Sequence, residues 1–260
     1  MREMSVSGSF YPADKHEILR YIQQFDAMYA KEFSLPNIKT KVVVVPHAGY
    51  VYSGYTANIA YKLLQKSGVK KYLVIGPSHR VSFNGISMCE NDKYATPFGE
   101  IESDQEMTKS LEENFSLRRL IPHEEHSTEV QFPFLKHYIP GVKVVELIYG
   151  RVNAEEIEKV IDFVLEKEDW GVVISTDLSH FHNLEIANTL DMVCAKAIAN
   201  LDLEVLSHGC EACGMLGVEA VLKSAIKSDL HATVLDYRTS ADATKDDKRV
   251  IGYLSACFTP

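Results

Sequence analysis

The chain has 260 residues, 46% apolar and 24% charged, which is the balance of a folded globule rather than a disordered chain. Its net charge of −9 argues against nucleic acid and anionic membranes as partners, because like charges repel. The N-terminus lacks the apolar core of a signal peptide and no apolar run could span a bilayer, so a cytoplasmic protein is expected. No linker-like segment interrupts the sequence, which predicts a single domain over residues 1–260.

The first third of the chain predicts helices alternating with buried strands. Asp14, followed three positions later by a glutamate, is typical of a capping box, and apolar residues then recur at helical spacing. Two apolar runs, Lys41–Val45 and Lys71–Ile75, are typical of strands buried on both faces. Between these strands we expect a helix that Ser53 caps and Gly68 ends.

The alternation continues towards the C-terminus. Val142–Ile148 and Gly171–Ser175 are predicted strands, and the helix between them is expected to have Asn153 as its N-cap. Two further helices are predicted over roughly Leu184–Asn200 and Cys213–Ser228.

The last two apolar–polar alternating runs, His231–Tyr237 and Arg249–Phe258, predict an antiparallel hairpin. Together with the preceding elements, this hairpin indicates the α/β class. We expect a mainly parallel central sheet, flanked by helices, to which the C-terminal hairpin is added.

Polar side chains follow three of the buried strands. KVVVV leads to His47, KYLVI leads to His79, and VVIS leads to Asp177 and His180. Ligands bind just outside the carboxyl ends of strands in open α/β sheets, so these groups are predicted to form one site. A single histidine in such a place is more often structural, but three in register favour function. Asp177 has an alternative interpretation as a helix cap.

Two more segments carry chemistry. His126 heads a predicted helix and shares a helical face with Glu129, although a solvated helix start is the alternative. Cys213 precedes Gly214, which would let the backbone approach a ligand, and a helix N-terminus there is expected to lower the thiol pKa. Cys210 is interpreted as a small packed side chain. The five cysteines are odd in number and irregularly spaced, so most are predicted to be reduced.

Five motifs, in this order, resemble the Memo family over essentially the whole chain: PHAGYVYSG, GPSHR, EHSTEVQFPFL, STDLSHF and the ACG before a helix. The family is widespread in microbes and includes the mammalian mediator of receptor-driven cell motility. Its fold is similar to that of the class III extradiol dioxygenases, the non-haem iron enzymes that open catechol rings. The resemblance therefore implies an extradiol dioxygenase-like fold.

The resemblance also implies roles for the residues of these motifs. His126 or His180 would act as acid or base, and Asp177 would orient an imidazole. Iron is the expected divalent transition metal, with copper and zinc as alternatives because a thiolate softens a site where the ring-opening enzymes have a carboxylate. Three residues are implied as lining the metal site, namely His47, His79 and Cys213.

Three functions are compatible with this pattern. The first is a metal-binding protein with redox or dioxygenase-like chemistry on an unknown small molecule. The second is a non-catalytic adaptor that holds a peptide in the same cleft, the terms in which mammalian Memo proteins are described. The third is a zinc-type hydrolase with Asp177 or Glu129 as its base, although the sequence has no H-E-x-x-H zinc signature.

Overall fold

Short apolar runs form an open mixed sheet in the computed structural model, which describes residues 1–32, 36–115, 117 and 119–260. The described strands are β1 (Val42–Val45), β2 (Lys71–Pro77), β3 (Ile86–Met88), β4 (Lys93–Tyr94), β5 (Ile101–Ser103), β6 (Lys143–Tyr149), β7 (Trp170–Ser175), β8 (His180–His182), β9 (His231–Thr239) and β10 (Val250–Thr259).

The strand order of the sheet is β4-β5-β6-β2-β7-β1-β10-β8, with β3 also paired to β6 and β9 to β10. The central run β5-β6-β2-β7-β1 is parallel throughout. The C-terminal hairpin joins it through β10, which is antiparallel to β1 and to β9. The predicted α/β class, with a mainly parallel sheet and a C-terminal antiparallel hairpin, is confirmed.

Helices flank the sheet. The valines of β1 show why it must be buried on both faces, since Val42 and Val44 pack into one apolar cluster and Val43 and Val45 into another. The described helices are α1 (Lys15–Glu32), α2 (Tyr50–Ser67), α3 (Gln105–Phe115), α4 (His126–Glu129), α5 (Gln131–Tyr138), α6 (Ala154–Leu165), α7 (Leu184–Asn200), α8 (Leu203–Ser207), α9 (Met215–Lys227) and α10 (Ser240–Thr244).

The helix boundaries confirm most of the predicted caps. Asp14 accepts backbone N–H groups at the start of α1, and Asn153 does so at the start of α6. Gly68 ends α2 in the left-handed conformation, with φ of 78°. The prediction for Ser53 is wrong, because α2 begins earlier, at Tyr50, and the Ser53 hydroxyl donates to the backbone carbonyl of Ala48, which precedes the helix. No helix in the described ranges is both long and apolar enough to cross a membrane.

The cysteines differ in one respect from the prediction. Cys194 of α7 and Cys210 are joined by a disulfide, so Cys210 is not simply a packed apolar side chain. The odd number and irregular spacing of the cysteines do not reveal this pair, because it depends on how the chain folds back from α7 through α8 to Cys210. The remaining three are reduced, as predicted for most: Cys89, Cys213 and Cys257.

Candidate metal centre

Three neighbouring parallel strands bring predicted site residues to one edge of the sheet. His47, His79 and Asp177 are each the second residue after the end of their strand, β1, β2 and β7 respectively. Because β7 pairs in parallel with both β1 and β2, all three residues lie at the same edge. His180 follows in β8, which pairs with β10. The predicted placement is confirmed, while the roles of these residues stay predictions.

His126, the first residue of α4, completes a group of three rings, here called the imidazole cluster (His47, His79 and His126). The ring centroid of His47 lies 5.1 Å from that of His79 and 5.3 Å from that of His126, and the last two lie 4.5 Å apart. One ring nitrogen from each residue lies within 4.8 Å of the others. Shifts of about 1 Å would bring three nitrogens to bonding distance of one metal ion.

The surroundings of His47 fix which of its nitrogens is available. Nδ1 lies 2.9 Å from the Ser175 hydroxyl oxygen, and that hydroxyl donates its own hydrogen to the Ser127 carbonyl. Nδ1 of His47 must therefore donate, which leaves the lone pair on Nε2. Burial, together with the neighbouring rings of His79 and His126, holds the pKa of His47 well below its ordinary value. His47 is thus a neutral imidazole whose Nε2 can bind a metal.

Glu125 fixes the other two rings in the same way. Its Oε1 lies 3.1 Å from Nδ1 of His79 and 2.9 Å from Nδ1 of His126, while its Oε2 accepts the His79 backbone N–H. Burial alone would raise the pKa of Glu125, but the hydrogen bonds from His126 and His79 lower it well below its usual range. An ionised carboxylate only accepts, so both Nδ1 atoms donate and both Nε2 atoms stay available.

Glu125 is absent from the predicted site residues, although the sequence carries a signal for it. A carboxylate directly before His126, in a segment already rich in histidine, is the residue type that orients metal-binding imidazoles. The alternative of a solvated helix start is wrong, since Glu125, Ser127 and Glu129 are all buried.

Cys213 lies beside the imidazole cluster. Its Sγ is 3.2 Å from Nε2 of His47 and accepts the backbone N–H of Asp177 at 3.3 Å. The predicted lowering of its pKa is wrong: burial and the nearby Asp177 carboxyl raise the pKa of the Cys213 thiol to about 12. The helix start at Gly214 acts in the predicted direction, but desolvation outweighs it. The structure thus describes a thiol that a metal would have to deprotonate.

The missing side chain of Gly214 has a different role from the predicted one, which was to let the backbone approach a ligand. A Cβ at this position would lie 2.6 Å from Cβ of Thr176 and 2.8 Å from the carbonyl oxygen of Ser175. The missing side chain therefore lets the start of α9 approach the end of β7, and not a ligand. This close approach is what holds Cys213 against the carboxyl end of the sheet.

Asp177 is not a helix cap. The next helix, α7, has Asn183 as its N-cap, whereas the Asp177 carboxyl accepts the His47 backbone N–H at 2.7 Å. The other Asp177 oxygen lies 3.9 Å from His47 Nε2. Burial raises the pKa of Asp177 even though that backbone hydrogen bond lowers it. The Asp177 carboxyl thus links the ends of β1 and β7 at the imidazole cluster.

The Glu129 side chain forms its hydrogen bonds away from the imidazole cluster. Its two oxygens accept hydrogen bonds from the N-terminal segment, and its side chain is fully buried. The structure argues against a role for Glu129 as a hydrolytic base, because five hydrogen bonds fill the acceptor positions of its two oxygens. The donors are the Arg2 guanidinium, the backbone and hydroxyl of Ser5, the backbone of Val6 and the hydroxyl of Tyr11.

Two cavities border the cluster, and they divide the predicted site residues between them. A cavity of about 500 Å³ is lined by Phe10, Tyr52, His126, Asp177, His180 and Tyr253, among others. A second of about 440 Å³ is lined by His79, Arg80, Tyr149, Arg151 and Cys213, among others. His126 and His180, implied as acid or base, thus line the larger cavity. His79 and Cys213, implied as metal ligands, line the smaller one.

The fold and this site define an α/β protein with a histidine-rich centre at the carboxyl ends of its parallel strands. A sequence profile described as Memo-like protein matches residues 2–257, and the chain belongs to the Memo family. A MEMO1 family protein of Aquifex aeolicus is 33% identical, covering 99% of both chains. Another, of Methanobrevibacter smithii, is 30% identical, also over 99% of both.

A solved structure shares the fold. An uncharacterized protein of Escherichia coli K12, JW3007, superposes with a TM-score of 0.54 over 84% of this chain and 99% of its own. Only 11% of its residues are identical, so this likeness concerns the arrangement of the helices and strands alone.

Proposed function

We propose that this protein binds a divalent transition metal and uses it for redox or dioxygenase-like chemistry on a small molecule. The observation that carries the proposal is the orientation of the imidazole cluster, in which every Nδ1 is held by an oxygen so that every Nε2 is left for a metal. Iron is the first candidate, with copper and zinc as alternatives. Such an ion, when bound, supplies Lewis-acid or electron-transfer chemistry.

The proposed ligands are His47, His79 and Cys213. The thiol of Cys213 contacts Nε2 of His47 and shares a cavity with His79, which supports this set. His126 is then left to hold or move a proton, since Glu125 fixes its Nδ1 and its ring borders the larger cavity.

The larger cavity supports a planar substrate such as a catechol. Phe10 contacts His126 with their ring centroids 4.7 Å apart and the rings tilted by 39°, and Tyr52 and Tyr253 add further aromatic surface. Asp177 and His180 line the same space and would receive the polar groups of such a ring.

The test is anaerobic reconstitution of reduced protein with Fe²⁺, Cu⁺ and Zn²⁺, followed by oxygen uptake with a panel of catechols. Cys213→Ser should lose the metal of the imidazole cluster, one equivalent, whereas His126→Gln should keep that metal and lose turnover. His208→Gln, at an exposed histidine, is the matched control and should change neither. Loss of metal in His126→Gln together with full binding in Cys213→Ser would show that the third ligand is His126 instead.

A peptide-binding role is the second candidate, and one observation favours it. Tyr52 and Phe181, which line the larger cavity, are 41% and 59% exposed, and the neighbouring Val51 is 54% exposed. Exposed apolar side chains around a cleft are typical of protein–protein contacts. Metal-free protein that still captures peptides from a random library, with affinity lost in Phe181→Ser, would support this role over catalysis.

A further inference from the structure

A second group of metal-binding side chains lies under the N-terminal segment, here called the second cluster (Cys89, His123 and Glu146). Cys89 follows β3, His123 precedes α4, and Glu146 lies within β6. One ligand atom from each lies within 4.8 Å of the others. Their exposed fractions are 4%, 7% and 0%, so water reaches none of them freely. Thiol, imidazole and carboxylate are the side-chain types that bind Zn²⁺.

The second cluster contains buried polar atoms without hydrogen bonds to the described residues. Glu146 Oε2 lies 3.1 Å from Nδ1 of His123 and 3.1 Å from Nε of Arg2, but neither contact has hydrogen-bond geometry. The other polar atoms are engaged, since Nε2 of His123 meets the Ser87 hydroxyl and Oε1 of Glu146 accepts from Thr128. Buried polar groups are nearly always satisfied, so Nδ1 of His123 and Oε2 of Glu146, which face each other at 3.1 Å without hydrogen-bond geometry, are both placed to bind a further ligand.

The local charge also indicates a cation. The carboxylates of Glu146 and Glu129 both contact the single guanidinium of Arg2, at 3.1 and 2.8 Å respectively. With a neutral His123, one negative charge is left over in a region that excludes solvent, whereas a protonated His123, 3.1 Å from Glu146, would balance it. An uncompensated buried charge is costly, and a bound cation would neutralise it.

A cavity of about 460 Å³ gives an ion access to the second cluster. Cys89 and His123 belong to its lining, whereas Glu146 lies behind them. An ion held by these side chains would keep one coordination position turned towards the cavity and its water. The charged and ligand side chains in the lining include Arg2, Arg80, Cys89, Glu90, His123 and Glu124.

We infer that Cys89, His123 and Glu146 form a second metal site, separate from the imidazole cluster, which takes a thiophilic divalent cation such as Zn²⁺. Zinc at about 2.0–2.3 Å from each ligand holds them about 3.5 Å apart, so the three atoms need to approach by about 1 Å. Binding breaks the S–H bond of Cys89 and releases that proton to solvent, with no change of oxidation state. A water from the cavity completes the tetrahedron.

Titration with Co²⁺, which reports tetrahedral thiolate ligation by its near-ultraviolet absorption, tests this site. The parent is Cys213→Ser, so that only one candidate thiol ligand remains. Cys89→Ser or His123→Gln in that parent should abolish the thiolate band and lower the bound metal by one equivalent. Cys257→Ser, at another buried reduced cysteine, is the matched control and should retain both.

The unaltered protein provides a second measurement that does not depend on any variant folding. Zn²⁺ should slow alkylation of Cys89, mapped by mass spectrometry, by about a hundredfold at a free concentration a hundred times Kd, while leaving Cys257 unchanged. Equal alkylation of Cys89 with and without Zn²⁺, or a thiolate band that survives Cys89→Ser, would show that His123 and Glu146 form a structural ion pair only and would overturn the inference.

Discussion

Two buried glutamates in the same turn, Glu125 and Glu129, have opposite surroundings. Both have a pKa below the ordinary value, Glu125 through His126 and His79, and Glu129 chiefly through Arg2, in each case against the effect of burial. Glu125 holds rings whose other nitrogens face cavities. The hydrogen-bond donors to Glu129 come from the N-terminal segment, which belongs to the scaffold and not to the site. The comparison teaches that the donors around a carboxylate decide its role, since its type and burial are the same in both places.

The largest effect on stability is expected when Glu129, the scaffold carboxylate, loses the guanidinium of Arg2. Arg2→Met should lower the free energy of unfolding by about 3–5 kcal/mol, because it leaves Glu129 and Glu146 buried without their counter-charge. Urea unfolding measures this. Arg20→Met, at an exposed position of α1, should change stability by no more than about 0.5 kcal/mol. A loss below about 1 kcal/mol in Arg2→Met would break the assignment of Glu129 to the scaffold.

The site carboxylate should behave differently. Glu125→Gln should weaken metal binding at the imidazole cluster by about 10–100-fold, because an amide is uncharged and, with its oxygen towards the Nδ1 atoms of His79 and His126, turns an NH₂ donor against the His79 backbone N–H. Isothermal titration with Zn²⁺ gives the affinity. The exposed neighbour Glu124 supplies the control, Glu124→Gln, which should bind as tightly there as the parent. Unchanged affinity in Glu125→Gln would mean that the two glutamates do not differ as described.

A smaller effect is expected from single donors to Glu129. Tyr11→Phe removes a hydroxyl that lies 2.9 Å from Glu129 Oε1 and should cost about 1.5–3 kcal/mol of stability. The metal affinity of the imidazole cluster should stay the same. If affinity falls with stability, the N-terminal segment also positions the site, and the separation between scaffold and site carboxylates is less sharp.

The smallest effect is expected in how the free energy of unfolding depends on acidic pH. The folded-state pKa of Glu129 is below its ordinary value of 4.5, so its stabilisation is complete above that pH and is lost as the pH falls through the folded pKa. One carboxyl contributes a slope of at most about 1.4 kcal/mol per pH unit. The difference in unfolding free energy between wild type and Glu129→Gln should therefore be constant from pH 7 to 5 and narrow below 4.5. A difference that widens in acid would contradict this sign.

The strands that position the site could be predicted from sequence because their signals are local. The runs that became β1 and β2 are continuous and apolar, and the polar residues that follow them are adjacent in the chain. The short strands β3, β4 and β5 could not be predicted, since two or three residues carry no period. Ser53 was misleading because a serine inside the first helical turn can also donate to a backbone carbonyl that precedes the helix, here that of Ala48.

The contacts that complete the site could not be predicted because they join distant parts of the chain. Arg2 and Glu129 are 127 residues apart, and Cys213 and His47 are 166 apart. The thiol pKa shows a second kind of limit. A helix start predicts a lowered pKa for Cys213, but only the three-dimensional structure shows that desolvation and the neighbouring Asp177 carboxyl raise it instead.

The position of β1 in the sheet has a consequence for how the chain is made. Val42 pairs on one side with Val172 and on the other with Phe258, so one edge of this valine strand has no partner until β7 has been made, and the other has none until β10 has been made. An exposed valine run is prone to aggregation, and contacts of such high sequence separation form slowly. Truncation before β10 would therefore leave β1 without one of its two neighbours.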